Sequence, residues 1–242
     1  MTTPKRQFEI EGIYHIFNRG IEKRKIFLKN QDYTRFILGL HFYNDKNPKY
    51  TIWQNLKFNK KLTTSILTGS IATHGVAIEP VIEILGFVLM PNHYHLILKE
   101  IIPNGISLFM QKMGGYSKYF NEQNKRIGHL FQGRYQSVNI KSDKQLLIIF
   151  NYVHTNPIGL IEKEWKNFKV KNKNNAINYL ETYKWSSYHD YIGHPRFPQI
   201  TQRDFYHEII GSANDCRKSI ENWISFKAEN TDRNLNENIL LE

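Results

Sequence analysis

Two histidines one residue apart, His93 and His95, are the side chains best suited to chemistry in this sequence of 242 residues. Side chains alternate along a β-strand, so on a strand both imidazoles would point to one face, about 7 Å apart. Two imidazoles at that separation can bind one divalent ion if a third ligand comes from elsewhere in the chain. A His-x-His pair on a strand more often has a structural role, so the metal site needs support from other residues.

A tyrosine and an amide form the second pattern. Tyr152 and Asn156 are four residues apart and share one face if this segment is helical. A phenol is a weak nucleophile at its ordinary pKa of about 10. Near a divalent cation it can lose its proton and attack a phosphodiester that the cation makes electrophilic. The carboxamide oxygen of Asn156 would then be the third metal ligand.

The four-residue spacing leaves two alternatives open. Tyr152 would also suit the core face of an amphipathic helix, with Asn156 at the end of that helix. Tyr119 and Gln123 have the same spacing on an earlier segment, and Tyr116 lies one turn before them. The spacing alone therefore does not decide which tyrosine helix faces the histidines.

The charge balance predicts a polyanionic partner. Lys and Arg number 33 and Asp and Glu number 22, which gives a net charge of +11, and aromatic residues make up 14%. The basic residues concentrate in segments 1–35, 104–144 and 163–173, where they are interleaved with Tyr and Phe. Cations attract phosphates and aromatic rings stack on unpaired bases, so nucleic acid is the first expectation and an anionic membrane surface the second.

Cysteine usage and hydropathy narrow the setting. The single cysteine, Cys216, excludes an intramolecular disulfide framework and a zinc site built mainly of thiolates, and it favours a reduced cytoplasmic setting. The residues after Met1 show no signal-peptide pattern, and the apolar stretches are far shorter than the roughly 18 residues of a membrane span. We therefore expect a cytoplasmic protein without a membrane segment.

Hydrophobic periodicity, turn residues and capping patterns predict the elements that position these side chains. The predicted order is strand 11–18, a helix from Asp32 to His41 or Tyr43, strand 81–90, strand 93–98, helix 107–121, strand 134–140 and a helix from Ser142 to Thr155. The apolar run 81–90 is typical of a buried central strand, and Leu96 and Leu98 would point away from the histidines, toward the core. This order predicts an α+β fold with a mainly antiparallel sheet covered by helices.

The histidine and tyrosine segments together resemble a known family. The sequence LMPNHYH at 89–95, followed by YVHTNPIGL at 152–160, is similar to the REP-associated tyrosine transposases of the HUH single-tyrosine family, which act on single-stranded DNA. Further similar segments occur in the family order, YHIFNRG at 14–20, GHLFQGRY at 128–135 and WSSY at 185–188. The resemblance covers about residues 8–195.

The resemblance implies a ferredoxin-like fold, similar to an RNA-recognition motif, with a divalent metal, Mg²⁺ or Mn²⁺, at its site. His93 and His95 fall at the metal-ligand positions, and Asn156 falls at the third-ligand position, where many relatives have Gln. Tyr152 falls at the nucleophile position. The implied reaction is transesterification, in which the tyrosine attacks the scissile phosphate, forms a covalent 5′-phosphotyrosine and releases a 3′-hydroxyl that can later reverse the step.

The resemblance also implies a substrate and a division of the chain. The expected partner is single-stranded DNA with imperfect, repetitive palindrome-like hairpins, bound by a bacterial nucleoid-associated monomer or homodimer whose tyrosine acts in its own subunit's site or in a partner's. Residues 1–160 would form the transposase catalytic domain with an insertion of some strand content at 44–76, followed by a helical C-terminal extension at 161–227 and a mobile acidic tail at 228–242. The residues expected to contact DNA are Arg19, Arg24, Lys25, Lys118, Arg134 and Tyr135.

Two other functions compete with the transposase. A non-catalytic, domesticated DNA-binding regulator would keep the fold without the reaction. A metal-dependent hydrolase would use water as its nucleophile and leave Tyr152 with a structural role. The three metal-ligand positions and the tyrosine position all carry competent residues, which favours the transposase.

Overall fold

The computed structural model describes residues 6–58, 60, 64, 67, 78–167 and 170–229. Its strands are β1 (Ile13–Arg19), β2 (Ile82–Met90), β3 (His93–Glu100) and β4 (Gln136–Ile140). Its α-helices are α1 (Asn30–Phe42), α2 (Ile52–Phe58), α3 (Gly105–Met113), α4 (Gly115–Gln123), α5 (Asp143–Thr155), α6 (Lys173–Thr182), α7 (Tyr188–Tyr191), α8 (Arg203–Ile210) and α9 (Ala213–Glu229). Short 3₁₀ turns lie at Ile21–Lys23, Asn156–Leu160 and Trp165–Asn167.

The strands form one antiparallel sheet in the order β2-β3-β1-β4. Helix α1 lies between β1 and β2 in the chain, and α3 and α4 lie between β3 and β4. A β-α-β-β-α-β succession with this strand order is the ferredoxin-like arrangement. The predicted fold class, an antiparallel sheet covered by helices, is therefore confirmed.

Two hydrophobic cores lie on opposite faces of the sheet. Leu96 and Leu98 belong to the first core, with side chains of α1, α3 and α4. Ile97 belongs to the second core, with side chains of α5 and of the C-terminal helices. Because side chains alternate along β3, His93 and His95 lie on the face of Ile97, opposite Leu96 and Leu98, as the strand pattern predicts.

Strand β2 lies at the edge of the sheet, so the prediction of a central strand was wrong. Its outer edge is occupied by the C-terminal extension. The backbone N–H of Leu89 donates to the carbonyl of Trp185 (2.8 Å), and the N–H of Gln202 donates to the carbonyl of Ile84 (2.9 Å). The apolar composition of β2 thus reflects burial under helices and chain segments that follow it by about a hundred residues.

Two helix boundaries and one element type differ from the sequence prediction. The helix predicted over 107–121 begins earlier and is divided at Gly114 into α3 and α4, which is consistent with the low helix propensity of glycine. Helix α1 begins before Asp32, whose carboxylate accepts the backbone N–H groups of Leu28 (2.8 Å) and Lys29 (3.1 Å) from within the first turn. The described part of the 44–76 segment contains helix α2 where strand content was expected, and most of its later residues lie outside the described ranges.

Helix α5, which carries Tyr152, begins as its capping pattern predicts. The Ser142 hydroxyl accepts the Gln145 N–H (3.3 Å), and the Gln145 side chain accepts the Lys141 N–H (2.8 Å). The α-helix ends at Thr155 and continues directly into the 3₁₀ turn Asn156–Leu160, in which Pro157 lies near the start, where its missing N–H costs no hydrogen bond.

The C-terminal extension is helical, as predicted, and consists of α6 to α9. Of the predicted acidic tail at 228–242, the first two residues complete α9 and the rest lies outside the described residues. Among the helices that the structure describes, none combines the length and apolarity that a membrane crossing requires.

Candidate metal and nucleotide site

The histidine pair lies near the start of β3, at the centre of the sheet. His93 pairs with Met90 on β2 and Arg19 on β1, and His95 pairs with Phe17 on β1. Both imidazoles are buried, and their ring centroids lie 5.0 Å apart. The strand therefore presents two ligand nitrogens from neighbouring positions of one face.

Asn156 lies between the two imidazoles, directly after the end of α5. Its Oδ1 atom is 3.3 Å from His93 Nε2, and its Nδ2 atom is 3.4 Å from His95 Nε2. The three ligand positions implied by the family resemblance thus converge in the structure.

The hydrogen bonds of the two Nδ1 atoms determine whether the Nε2 atoms of His93 and His95 face Asn156 with a lone pair. His93 Nδ1 donates to the side-chain oxygen of Asn92 (2.6 Å), and the amide nitrogen of Asn92 donates to the carbonyl of Lys23 (3.2 Å). A neutral His93 then has its lone pair on Nε2. His95 Nδ1 lies 2.9 Å from His15 Nε2, and donation from Nδ1 to His15 leaves the Nε2 lone pair of His95 facing Asn156.

This arrangement fits a divalent cation. Asn156 has one amide oxygen and one amide nitrogen, so whichever way it is oriented, one imidazole lone pair faces an oxygen lone pair. A cation between them would remove that repulsion, and two imidazoles with one amide oxygen leave coordination positions open. Among the described residues, His, Cys, Asp and Glu side chains form no group of three that could hold a metal, so the fit depends on the Asn156 oxygen.

Tyr152 lies on α5 one turn before Asn156, and its ring packs edge-on against His95, with centroids 5.3 Å apart. The side chain is 8% exposed. Burial raises the pKa of the phenol, whereas a hydrogen bond with Asn156 and the positive charge of Arg19 act in the opposite direction. The phenol is therefore neutral at rest, and the charge of Arg19 favours its phenolate.

His15 is a site residue that the sequence patterns did not reveal. It is 1% exposed, contacts His95 Nδ1 as described, and its ring stacks on the rings of Phe17 and His95 at centroid distances of 5.0 Å. Burial and the neighbouring His95 hold the pKa of His15 well below its ordinary value, so it accepts a hydrogen bond as a neutral ring. Strand alternation places His15 on the face of Phe17, but its pairing with β3 depends on the sheet register.

A cavity of about 200 Å³ opens beside the histidine pair. Two of the residues predicted to contact DNA, Arg19 and Arg134, line it. Tyr135 follows on the same segment, and the guanidinium of Arg6 lies 4.4 Å from the centroid of its ring. The lining residues are Phe17, Asn18, Arg19, His93, His95, Gln132, Gly133, Arg134 and Gln136.

The remaining predicted DNA contacts lie farther from the histidines. Arg24 and Lys25 follow β1 on the loop whose Lys23 carbonyl accepts from Asn92, and Arg24 pairs with Glu22 at 3.5 Å. Lys118 lies on α4, on the opposite side of the sheet, beside a groove of about 540 Å³. The structure therefore brings together part of the predicted DNA-binding set, and Lys118 is separate from it.

The rival tyrosine helix also lies on the far side of the sheet. The Tyr116 hydroxyl donates to the carbonyl of Ile26 (2.6 Å), and the Tyr119 hydroxyl donates to the carboxylate of Asp32 (3.3 Å). Both rings belong to the first core, opposite the histidines. The structure thus places Tyr152, and not the tyrosines of the rival helix, beside His95 of the same chain.

Comparison with known proteins gives two matches. A solved structure described as "Structure of the REP associates tyrosine transposase bound to a REP hairpin" is 16% identical, covers 83% of this chain and 90% of that one, and has a TM-score of 0.46. No curated protein matches the chain. The family model "Transposase IS200 like" matches residues 58–156, a range that includes both histidines, Tyr152 and Asn156. Residues 58–156, less than half of the chain, are therefore similar to IS200-like transposases, in agreement with the resemblance of the sequence motifs.

Proposed function

We propose that the protein is a metal-dependent transposase that cleaves and rejoins single-stranded DNA at hairpin-flanked sites through a covalent 5′-phosphotyrosine. The observation that carries this proposal is the convergence of Tyr152, His93, His95 and Asn156 in one chain, within the range that matches the family. Each of the four residues has the chemistry that its role requires.

His93, His95 and Asn156 would hold Mg²⁺ or Mn²⁺ through Nε2, Nε2 and the amide oxygen. A divalent ion held by these residues would supply polarisation of the scissile phosphate and stabilisation of the negative charge that develops on it. The three ligands are neutral when bound, so they leave the positive charge available for phosphate oxygens. Asn92 and His15 hold the two imidazoles in the orientation that this role needs.

Tyr152 acts as the nucleophile. Its phenol loses its proton to water, a step favoured by the charge of Arg19, and the phenolate oxygen attacks the phosphorus atom. An O–P bond to the tyrosine forms while the P–O3′ bond breaks, so the 5′ end remains on the protein and the other strand end leaves as a 3′-hydroxyl after taking a proton. Attack by that hydroxyl, or by one from another strand, reverses the exchange and joins DNA ends.

The basic residues would hold the DNA. Arg19 and Arg134 line the cavity beside the histidines, and Arg24, Lys25 and Tyr135 extend the surface from it. Lys118 would contact a DNA element that reaches the opposite side of the sheet, such as the hairpin. DNA binding of this kind would place the protein on the bacterial nucleoid.

A covalent-adduct assay tests the proposal. Wild-type protein is incubated with single-stranded hairpin DNA and Mn²⁺, and the expected product is a protein–DNA adduct that survives a denaturing gel. The adduct should disappear in Tyr152→Phe and when EDTA replaces the metal. Tyr119→Phe is the matched control, because that tyrosine lies on the rival helix, and it should form the adduct like the wild type.

Two outcomes would replace the proposal. Cleavage that persists in Tyr152→Phe without any adduct would identify a hydrolase that uses water. Hairpin binding without cleavage under every divalent metal would identify a non-catalytic DNA-binding regulator.

A further inference from the structure

We propose that the cavity beside the histidine pair is a binding site for one unpaired nucleobase, called the base seat below. Phe17 would be its stacking surface, and Gln136 would contact the edge of the base. This inference rests on the proposed function, because it assumes a single-stranded DNA substrate. It adds a specificity site to the residues that would carry out the reaction.

The first argument is the register of three neighbouring strands. On β1, Phe17 pairs with His95 of β3 on one side and with Gln136 of β4 on the other. Neighbouring strands lie about 4.8 Å apart, so a base on Phe17 would be one strand spacing from a metal-ligand histidine. A nucleotide seated there would have its phosphate within reach of the proposed reaction site.

The second argument is the limited cover on this face of the sheet. Helix α5 packs over the rows of Ile97 and Ile140, which belong to the second core. One pleat further along β1, the half-buried Phe17 lines a cavity of about 200 Å³ instead of a packed core. An aromatic ring left accessible on a sheet next to cationic residues is how single-stranded nucleic acids are commonly bound.

The third argument is the chemistry of the walls. Gln136 and Gln132 are exposed, and a primary amide offers both a donor and an acceptor to a base edge. Asn18 braces the loop opposite, since its Nδ2 donates to the carbonyl of Gly133 (3.1 Å). Arg134 is exposed at the rim, where it would meet a backbone phosphate. An aromatic ring, two side-chain amides and a nearby arginine together suit a nucleotide better than an inorganic phosphate or an apolar ligand.

The experiment measures DNA binding without catalysis, in Tyr152→Phe protein with EDTA. DNA hairpins with randomised single-stranded tails of about ten nucleotides are selected for tight binding, and affinity is then measured by fluorescence anisotropy. Phe17→Leu should lower the affinity by about fivefold to 100-fold, because it removes one stacking ring. Phe17→Tyr should bind within about twofold of the parent, since it keeps a ring.

An abasic scan locates the base in the seat. One abasic position in the tail should cause the same loss as Phe17→Leu, and combining the two changes should cause no further loss. Gln136→Ala should change the preference for the base at that position. Tyr179→Leu, a half-buried aromatic of α6 outside the site, is the matched control, and thermal unfolding checks that each variant is folded.

The outcomes separate this proposal from the proposed function. Equal affinities for Phe17→Leu and Phe17→Tyr, or additive losses in the abasic scan, would overturn the base seat. The proposed transposase function would still stand if the wild type formed the covalent adduct. A coupled loss without any adduct in the presence of Mn²⁺ would support the seat and overturn the reaction. Failure of the parent protein to bind any selected DNA would overturn the base seat, and it would overturn both proposals if the wild type also formed no adduct with Mn²⁺.

Discussion

The orientation of each histidine in the site depends on one neighbouring side chain. Asn92 contacts Nδ1 of His93, and His15 contacts Nδ1 of His95. Metal-ligating imidazoles commonly donate their second N–H to such a partner, which fixes the ring and raises its basicity as a ligand. In the proposed site, His15 would therefore support metal binding without touching the metal.

Replacing His15 tests this role. His15→Phe keeps a buried ring at this position but removes the acceptor of His95 Nδ1, and we expect the affinity for Mn²⁺ to fall by about 10-fold to 100-fold. Isothermal titration calorimetry on DNA-free protein measures it. His41→Phe, a buried histidine on the other side of the sheet, should leave the affinity unchanged. An unaltered Mn²⁺ affinity in folded His15→Phe would contradict the role.

At the scale of elements, the segment that follows α6 is attached to β2 by a buried hydroxyl. Ser187 Oγ accepts the N–H of Phe87 (2.8 Å), lies 2.8 Å from His154 Nε2 and is itself 0% exposed. The hydroxyl thus links strand β2, helix α5 and the C-terminal extension at one point. Since α5 carries Tyr152, this link helps to hold the tyrosine against the sheet.

Ser187→Ala should lower the free energy of unfolding by about 1–3 kcal/mol, because it leaves the buried Phe87 N–H without an acceptor. Urea denaturation followed by circular dichroism measures the change. Ser219→Ala removes a half-buried hydroxyl that donates to Asn151 and should cost less. An equal loss in the free energy of unfolding for the two variants would show that the hydrogen bond to β2 stabilises the fold no more than the one to Asn151.

A buried carboxyl group in the C-terminal extension, that of Asp190, predicts that the stability depends on pH. Asp190 Oδ1 accepts the N–H groups of Arg196 (2.5 Å) and Phe197 (2.7 Å), and burial raises the pKa of its carboxyl group. A carboxyl whose pKa is higher in the folded state favours folding while it is protonated. Its contribution is complete below the unfolded pKa of about 4 and is lost as the pH rises through the folded pKa.

Asp190→Asn removes this dependence but keeps the amide oxygen as an acceptor. The stability of the variant relative to the wild type should therefore increase as the pH is raised from about 4 to 7. Urea unfolding at several pH values gives the two curves. A constant difference between them across that range would show that Asp190 has the same pKa in both states.

At the scale of the whole molecule, the cations predicted to contact DNA lie on two sides of the sheet. Arg19 and Arg134 line the cavity beside the histidines, whereas Lys118 lies on α4 beside the other groove. A short single strand in the site would meet only the first set. A hairpin attached to it would have the length to reach the second.

Salt dependence of binding tests this division. For a short single strand, Arg134→Gln should reduce the slope of log affinity against log salt by about 1, since one phosphate contact is lost. Lys118→Gln should leave that slope unchanged and should reduce it only when a hairpin is attached. Anisotropy titrations at several salt concentrations provide the slopes. If Lys118→Gln reduced the salt slope for the short strand as much as Arg134→Gln does, the division of the cations between two sides would be contradicted.

Local sequence patterns predicted individual strands and helices well, but they did not predict which segments pair with one another in the sheet. Period-two alternation placed His93 and His95 on one face, and the Ser142 capping pattern located the start of the tyrosine helix. The pairing of His15 with His95 depends on the register between strands that are far apart in the chain, which no local pattern specifies. For the same reason, the apolar run of β2 predicted burial correctly but did not reveal that its outer neighbour is the C-terminal extension.

The hydrogen bonds along the outer edge of β2 have a consequence for self-association. An open strand edge offers unpaired N–H and C=O groups to any other strand, and long apolar edges of this kind lead to aggregation. Trp185 and Gln202 occupy those groups at Leu89 and Ile84. A chain truncated before Trp185 would therefore expose one of the most apolar strands of the fold, and we expect it to form fibrous or amorphous aggregates through strand pairing.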